Sequence, residues 1–223
     1  MLNAKPEIKF IPFSKKWLLF EDEQLLIINK PSGLLSVPGR NADPLASLIG
    51  QIKIYCKDAL IVHRLDMDTS GIMLLAKNKE VHRHLSHQFQ ERQTSKQYQA
   101  ICTGIASQKN GTVNQPMRCD WERRPLQMID FRQGKNAKTH WQIIKQNKTR
   151  FSVLLSPVTG RSHQLRLHMK QLGHPILGDN LYADTQTLNQ SSRLLLHASK
   201  LTFTHPTHQQ RLTFENRAEF WHI

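Results

Sequence analysis

The chain has 223 residues, with 31 lysines and arginines against 17 aspartates and glutamates, a net charge of +14 before its 12 histidines are counted. That length supports one large domain or two small ones with a real core, and 39% apolar against 22% charged residues excludes global disorder. No apolar run approaches the ~20 residues of a membrane span, and Cys56, Cys102 and Cys119 lie too far apart for a disulfide framework or a zinc knuckle.

Residues 1–16 read as a polar, Lys-bearing arm without a secretory leader, and residues 17–223 as a single domain. The apolar runs 17–20 and 25–30, around Glu21-Asp22-Glu23-Gln24, predict a hairpin. Pro31-Ser32-Gly33 breaks its second strand, and an irregular loop follows to Arg40. Residues 44–55 have helical spacing, with Leu45, Leu48, Ile49 and Ile52 on one face. The unbroken apolar run Ile72-Met73-Leu74-Leu75-Ala76 predicts a strand buried on both faces. Asn78 is placed to cap a helix to about residue 92, with Val81, Leu85 and Phe89 inward.

Residues 96–102 predict a strand that Gly104 ends. The turn-rich stretch 111–138 predicts a β-excursion or loop, and 141–144 with 151–155 a strand pair. A helix is expected over 162–172, with Gly173 in a left-handed C-terminal cap. Two late strands, 193–197 and 201–205, finish the pattern. Many strands joined by short turns predict an α+β fold, a mixed and mainly antiparallel sheet flanked by helices and loops.

The positive charge is spread along the whole chain, so nucleic acid is the expected partner. A membrane surface is not, because no strongly amphipathic basic helix is evident. His63, Arg64, Asp66, Asp68, Thr69 and Ser70, closed by Gly71, form the densest polar segment. A carboxylate fixed at the entrance to a strand suits catalysis. The same residues equally suit a turn whose side chains bond their own backbone.

The second cluster, Arg161-Ser162-His163-Gln164-Leu165-Arg166, opens the late helix. It suits an anion at the helix N-terminus, or is simply a basic helix face. The histidines lack metal-ligand spacing, and most are expected at the surface or facing nucleic acid. No P-loop and no G-x-G-x-x-G occurs, so neither metal nor cofactor is expected.

His63 to Gly71 resembles the H-R-L-D-x-x-T-S-G signature of the RluA family of pseudouridine synthases. Lys96-Gln97-Tyr98 resembles that family's second motif. Thr159 to Arg166 with His168, continued by Gly173 to Asp179, resembles the third. Lys30 to Arg40, Cys119-Asp120-Trp121, and Leu196-His197-Ala198 with Phe203, His205 and Pro206 extend the likeness from about Trp17 to Phe220.

The resemblance implies the pseudouridine synthase fold without an S4 domain. It implies a cytoplasmic monomer that isomerises uridines in structured RNA, namely a 23S rRNA hairpin loop and a tRNA anticodon stem-loop. Asp66 is then the carboxylate that reaches the sugar, and Arg161 the cation paired with it. Tyr98 packs against the flipped uracil and assists loss of its C5 proton. Arg64 enters the vacated stack, Leu165 lines the pocket, and Arg40, Lys96 and Arg166 hold the RNA backbone. His63, Thr69 and Gly71 shape the loop, and Asp68 is structural.

Two other readings compete. A non-catalytic RNA-binding protein of this fold has no need of Asp66, Tyr98 and Arg161 together. A hydrolytic glycosidase needs a second carboxylate and releases free uracil.

Overall fold

The computed structural model describes residues 11–39 and 42–222. Strand β1 (Leu18–Glu21) pairs antiparallel with β2 (Leu25–Lys30), and the Asp22 carboxylate closes their turn by accepting from the Gln24 and Leu25 N–H groups. Ser47 caps α1 (Leu48–Tyr55), which leads to β3 (Leu60–Ile61) and β4 (Ser70–Ala76). The Asn78 side chain accepts from Val81 N–H and starts α2 (Lys79–Gln90).

The middle of the chain supplies β5 (Ser95–Thr103), β6 (Asn110–Asn114), β7 (Met117–Cys119), β8 (Gln127–Ile129), β9 (Lys138–Gln146) and β10 (Arg150–Pro157). Then come α3 (Gln164–Gln171), the single turn α4 (Thr185–Leu188), β11 (Leu196–Thr204) and β12 (Arg211–Glu215).

Ten strands share one sheet in the order β1-β2-β4-β11-β5-β10-β9-β6, with β12 against β11 and β3 against β4. β7 and β8 pair separately. The main sheet is mixed and mainly antiparallel, as the order of elements predicts; its parallel pair is β4 with β11. Gly71 stands in that pair at φ +116, and a Cβ there would lie 2.3 Å from the Ala198 carbonyl oxygen. A residue with any side chain would push the two strands apart.

Alternation along β2 divides the core between the sheet faces. Leu26 and Ile28 pack with Leu48 and Ile52 of α1, whereas Leu25 and Ile27 pack with Val81 and Leu85 of α2. Each such side chain, fully buried, contributes roughly 1.5–3 kcal/mol. The far half of the sheet packs Val153, Leu155 and Trp141 against Leu165 and Met169 of α3.

Three expectations need correction. Residues 193–197 and 201–205 do not form two strands: β11 runs unbroken through 196–204, with an irregularity between Ala198 and Lys200. The polar pair Ser199-Lys200 imitates a turn, but Ser199 is buried and its hydroxyl donates to the Gln97 carbonyl. Residues 44–46 form a separate 3₁₀ turn, so Leu45 is exposed and the α-helix starts only after Ser47. The end of the expected arm is not loose, because Ile11 and Phe13 pack against the α1 side of the core; residues 1–10 lie outside the described residues.

Candidate active site

Between β3 and β4 the chain makes a tight turn, with Thr69 N–H donating to the Asp66 carbonyl. Its neighbour is the segment after β2. Lys30 has no exposed surface, and its ammonium donates to the carbonyls of Pro31, Leu34 and Met67 at 2.7–2.9 Å. Burial pushes that amine down to about 7, with Asp68 and Asp66 opposing the shift. The Ser32 hydroxyl donates to the Asp68 carbonyl, and the buried Ser36 hydroxyl bonds both the carbonyl and the N–H of Leu65. Asp66 is thus carried on a backbone fixed from outside its own turn.

His63 braces the other side. Its Nε2 accepts from Leu74 N–H at 3.0 Å, and its ring stacks on Phe89 with centroids 4.6 Å apart. Burial pushes the imidazole down to about 3. The ring is neutral and Nδ1 carries its proton, a structural part that agrees with the expected loop-shaping role.

The turn opens into a cleft of about 710 Å³. Arg64, Asp66, Lys96, Tyr98, Arg161, Leu165 and Arg166 all line it; Arg40, the remaining sequence-named residue, lies outside the described residues. Asp66 is the one carboxylate in the lining among the described residues, and its side chain keeps 29% of its surface open. Arg64 is exposed.

Tyr98 sits mid-sheet, opposite Leu155 on β10 and Ala198 on β11. Burial, reinforced by the charge of Asp66, raises its phenol far above the usual range. A hydroxyl held neutral suits packing against a base better than it suits acting as a preformed phenolate. Lys96 is half-buried and faces the Phe89 ring at 5.9 Å, with desolvation lowering its pKa. It belongs to the cleft wall rather than to an outer rim.

Two assignments around α3 change. Arg166 does not face an RNA backbone: it is 2% exposed, donates to both Asp179 carboxylate oxygens at 2.6 and 2.9 Å, and also reaches Asn180. Arg161 shares the cleft with Asp66 but makes no ion pair with it; its Nε donates to the Asn136 carbonyl at 3.1 Å. The side chain that approaches Asp66 from this segment is instead His163, whose Nε2 lies 4.0 Å from Oδ1.

Gln164 ties the segment before α3 to the start of β9. Buried, it accepts from Arg161 N–H and the Thr159 hydroxyl, and donates to the Lys138 carbonyl and Thr139 Oγ1. The helix itself begins two residues later than periodicity suggests, after His163 in a left-handed conformation at φ 56. Gly173, at φ +80, ends it as expected.

Histidines expected at the surface are partly interior. His168, His197 and His205 are buried, and His163 is 13% exposed. Lys30, Asp179 and Tyr182 carry structural bonds that the sequence analysis did not single out. The available signal for Lys30 was its place at the end of a strand opened by four aliphatic residues, where a cation needs buried partners. Among the described residues no group of three or more His, Cys, Asp or Glu side chains could hold a metal, and no helix is long and apolar enough to cross a membrane.

The family model described as RNA pseudouridylate synthase matches residues 24–171. The chain is 46% identical over 209 residues to the dual-specificity RNA pseudouridine synthase RluA of Vibrio cholerae, covering 92% of this chain and 85% of the relative. It is 48% identical to the protein of the same name from Haemophilus influenzae, with 91% and 93% covered. Among solved structures, human RNA Pseudouridylate Synthase Domain Containing 1 superposes with a TM-score of 0.78 at 25% identity, covering 98% of this chain and 87% of that one.

Proposed function

Since the chain belongs to the RluA family of RNA pseudouridine synthases, we propose that Asp66 is the group that reacts with uridine and that the substrates are structured RNA loops. The enzyme is an isomerase: the N1–C1′ bond of uridine breaks, the base turns, a C5–C1′ bond forms, and the C5 proton is lost as N1 gains one. One ionised carboxylate at the sugar serves either attack on C1′ or removal of the C2′ proton.

The observation that carries this reading is the composition of the cleft: among the described residues a single carboxylate, Asp66, stands with Arg64, Arg92, Lys96, Arg161 and the neutral phenol of Tyr98. The cations suit the phosphates on either side of an everted nucleotide, and Tyr98 and Leu165 its base. The absence of a second carboxylate from the described lining counts against hydrolysis. Extrusion of the base costs a few kcal/mol, and Arg64 offers a planar guanidinium to the emptied stack. Elsewhere the exposed indole of Trp121, with the Arg124 guanidinium 3.6 Å from its ring centre, adds aromatic and basic surface suited to unpaired bases.

Two kinds of target fit the name dual-specificity that the relatives carry, and we take them to be a 23S rRNA hairpin loop and a tRNA anticodon stem-loop, modified in the cytoplasm by a monomer whose residues 17–223 act as one catalytic domain. Pseudouridine mapping in total RNA from cells with and without the protein tests the substrates, and both RNAs are expected to lose a modified position together. Asp66→Asn is expected to abolish isomerisation while RNA binding persists. A fully active variant overturns the assignment of Asp66, and release of free uracil overturns isomerisation in favour of hydrolysis.

A further inference from the structure

Tyr182 is a buried residue whose hydroxyl has two neighbours. Gln127 N–H, at the start of β8, donates to Oη at 2.8 Å, and His163 Nδ1 lies 2.9 Å away. Among the described residues Oη has no other hydrogen-bond partner, so its proton goes to Nδ1. That leaves the imidazole proton on Nε2. Nε2 is the atom 4.0 Å from Asp66 Oδ1. Burial lowers the pKa of His163, although the charge of Asp66 opposes the shift, and the ring is therefore a neutral donor.

The backbone serves the same aim. His163 occupies the left-handed region at φ 56 and ψ 14, a strained choice for a residue with a side chain, and its carbonyl accepts from Leu167 N–H to open α3. The ring stands edge-on to Tyr182, with centroids 5.7 Å apart, a contact that adds to the hydrogen bond.

We propose that His163 is a positioning residue for Asp66: clamped by Tyr182, it offers a neutral Nε2–H to the carboxylate and keeps it turned toward the sugar. The present separation is about 1 Å longer than an N–H···O bond, a distance that a swing of the Asp66 carboxylate closes. A neutral donor orients the carboxylate without cancelling its charge. The inference rests on the reading of Asp66 as the reacting group.

Single-turnover rates of pseudouridine formation against pH, with RNA Kd and Tm measured alongside, test it. His163→Phe is expected to slow the reaction at least tenfold and to move the acid limb of the rate upward in pH, because the carboxylate loses a donor. RNA Kd should hold. His163→Gln, which restores an N–H, should recover part of both effects. Tyr182→Phe keeps the buried ring but frees Nδ1; it should move the limb in the same direction by less, and it carries the test should His163→Phe fail to fold. An acid limb that stays in place in the folded variants overturns the proposal. Asp66→Asn run in parallel separates the two readings: an active Asp66→Asn defeats the reading of Asp66, whereas an inactive one beside an unshifted His163→Phe defeats only the role of His163.

Discussion

The Lys30 ammonium lies 2.9 Å from the Met67 carbonyl, fastening the turn that carries Asp66 to the end of β2. The same group satisfies the carbonyls of Pro31 and Leu34. Lys30→Ala strips three carbonyls of their partner at a site without solvent, where each orphaned group costs ~1–3 kcal/mol. The expected loss is about 3 kcal/mol or more, and at 2–4 °C per kcal/mol for a chain of this size Tm falls by roughly 6–12 °C. Calorimetry reads the stability and a turnover assay the disturbed turn; an unchanged Tm would show that water replaces the ammonium at little cost.

Arg166 and Asp179 make a second prediction, one that separates a fold-holding arginine from an RNA-binding one. Both are almost wholly buried and bonded at 2.6 and 2.9 Å. Removing one partner leaves the other uncompensated, at about 3–5 kcal/mol. Arg166→Met should therefore lower Tm while the slope of log Kd against log salt stays that of the native protein. A phosphate contact would instead reduce that slope by nearly one.

Acid should destabilise the protein through two histidines that fold in neutral form. Burial pushes His63 down to about 3 and His197 to about 4, from an ordinary 6.5. Between those values the unfolded chain binds protons that the native state refuses. The stability contributed is thus complete above 6.5 and is lost as pH falls toward 3–4, with a slope of about 1.4 kcal/mol per pH unit for each ring. Denaturant titrations at pH 7, 6, 5 and 4 should show the decline, and His63→Phe should flatten it.

What the sequence revealed, and what it hid, follows from the range of the forces involved. The β1–β2 hairpin, the two-faced burial of β4 and the Asn78 cap are written in neighbouring residues, and they were legible. Asp66, Tyr98 and Arg161 come from three distant segments that fold into one cleft, and each was singled out through a motif whose residues stand next to one another in the chain. Partnerships across the fold left no such trace. Nothing near Arg166 says that Asp179 will neutralise it, and nothing near Ser199 says that the Gln97 carbonyl will draw it into a continuous strand. The Tyr182–His163–Asp66 alignment joins three segments in the same way, by an order that no local spacing encodes.

Arg64 gives the last prediction. It is exposed at the mouth of the cleft, two residues before Asp66, and among the described residues its guanidinium has no hydrogen-bond or ion-pair partner. A side chain left free beside the carboxylate that we propose reacts is placed to replace the stacking of a nucleotide that has left its helix. Arg64→Ala should then slow turnover of a structured loop by roughly ten- to hundredfold, equivalent to the ~1–3 kcal/mol of one stacked base. An unpaired oligonucleotide carrying the same uridine has no stack to fill and should react at close to the native rate. Arg64→Lys restores the charge but not the plane, and should recover affinity at low salt without recovering the rate on the structured loop. Equal losses on both substrates, or full rescue by lysine, would assign Arg64 to holding phosphate instead.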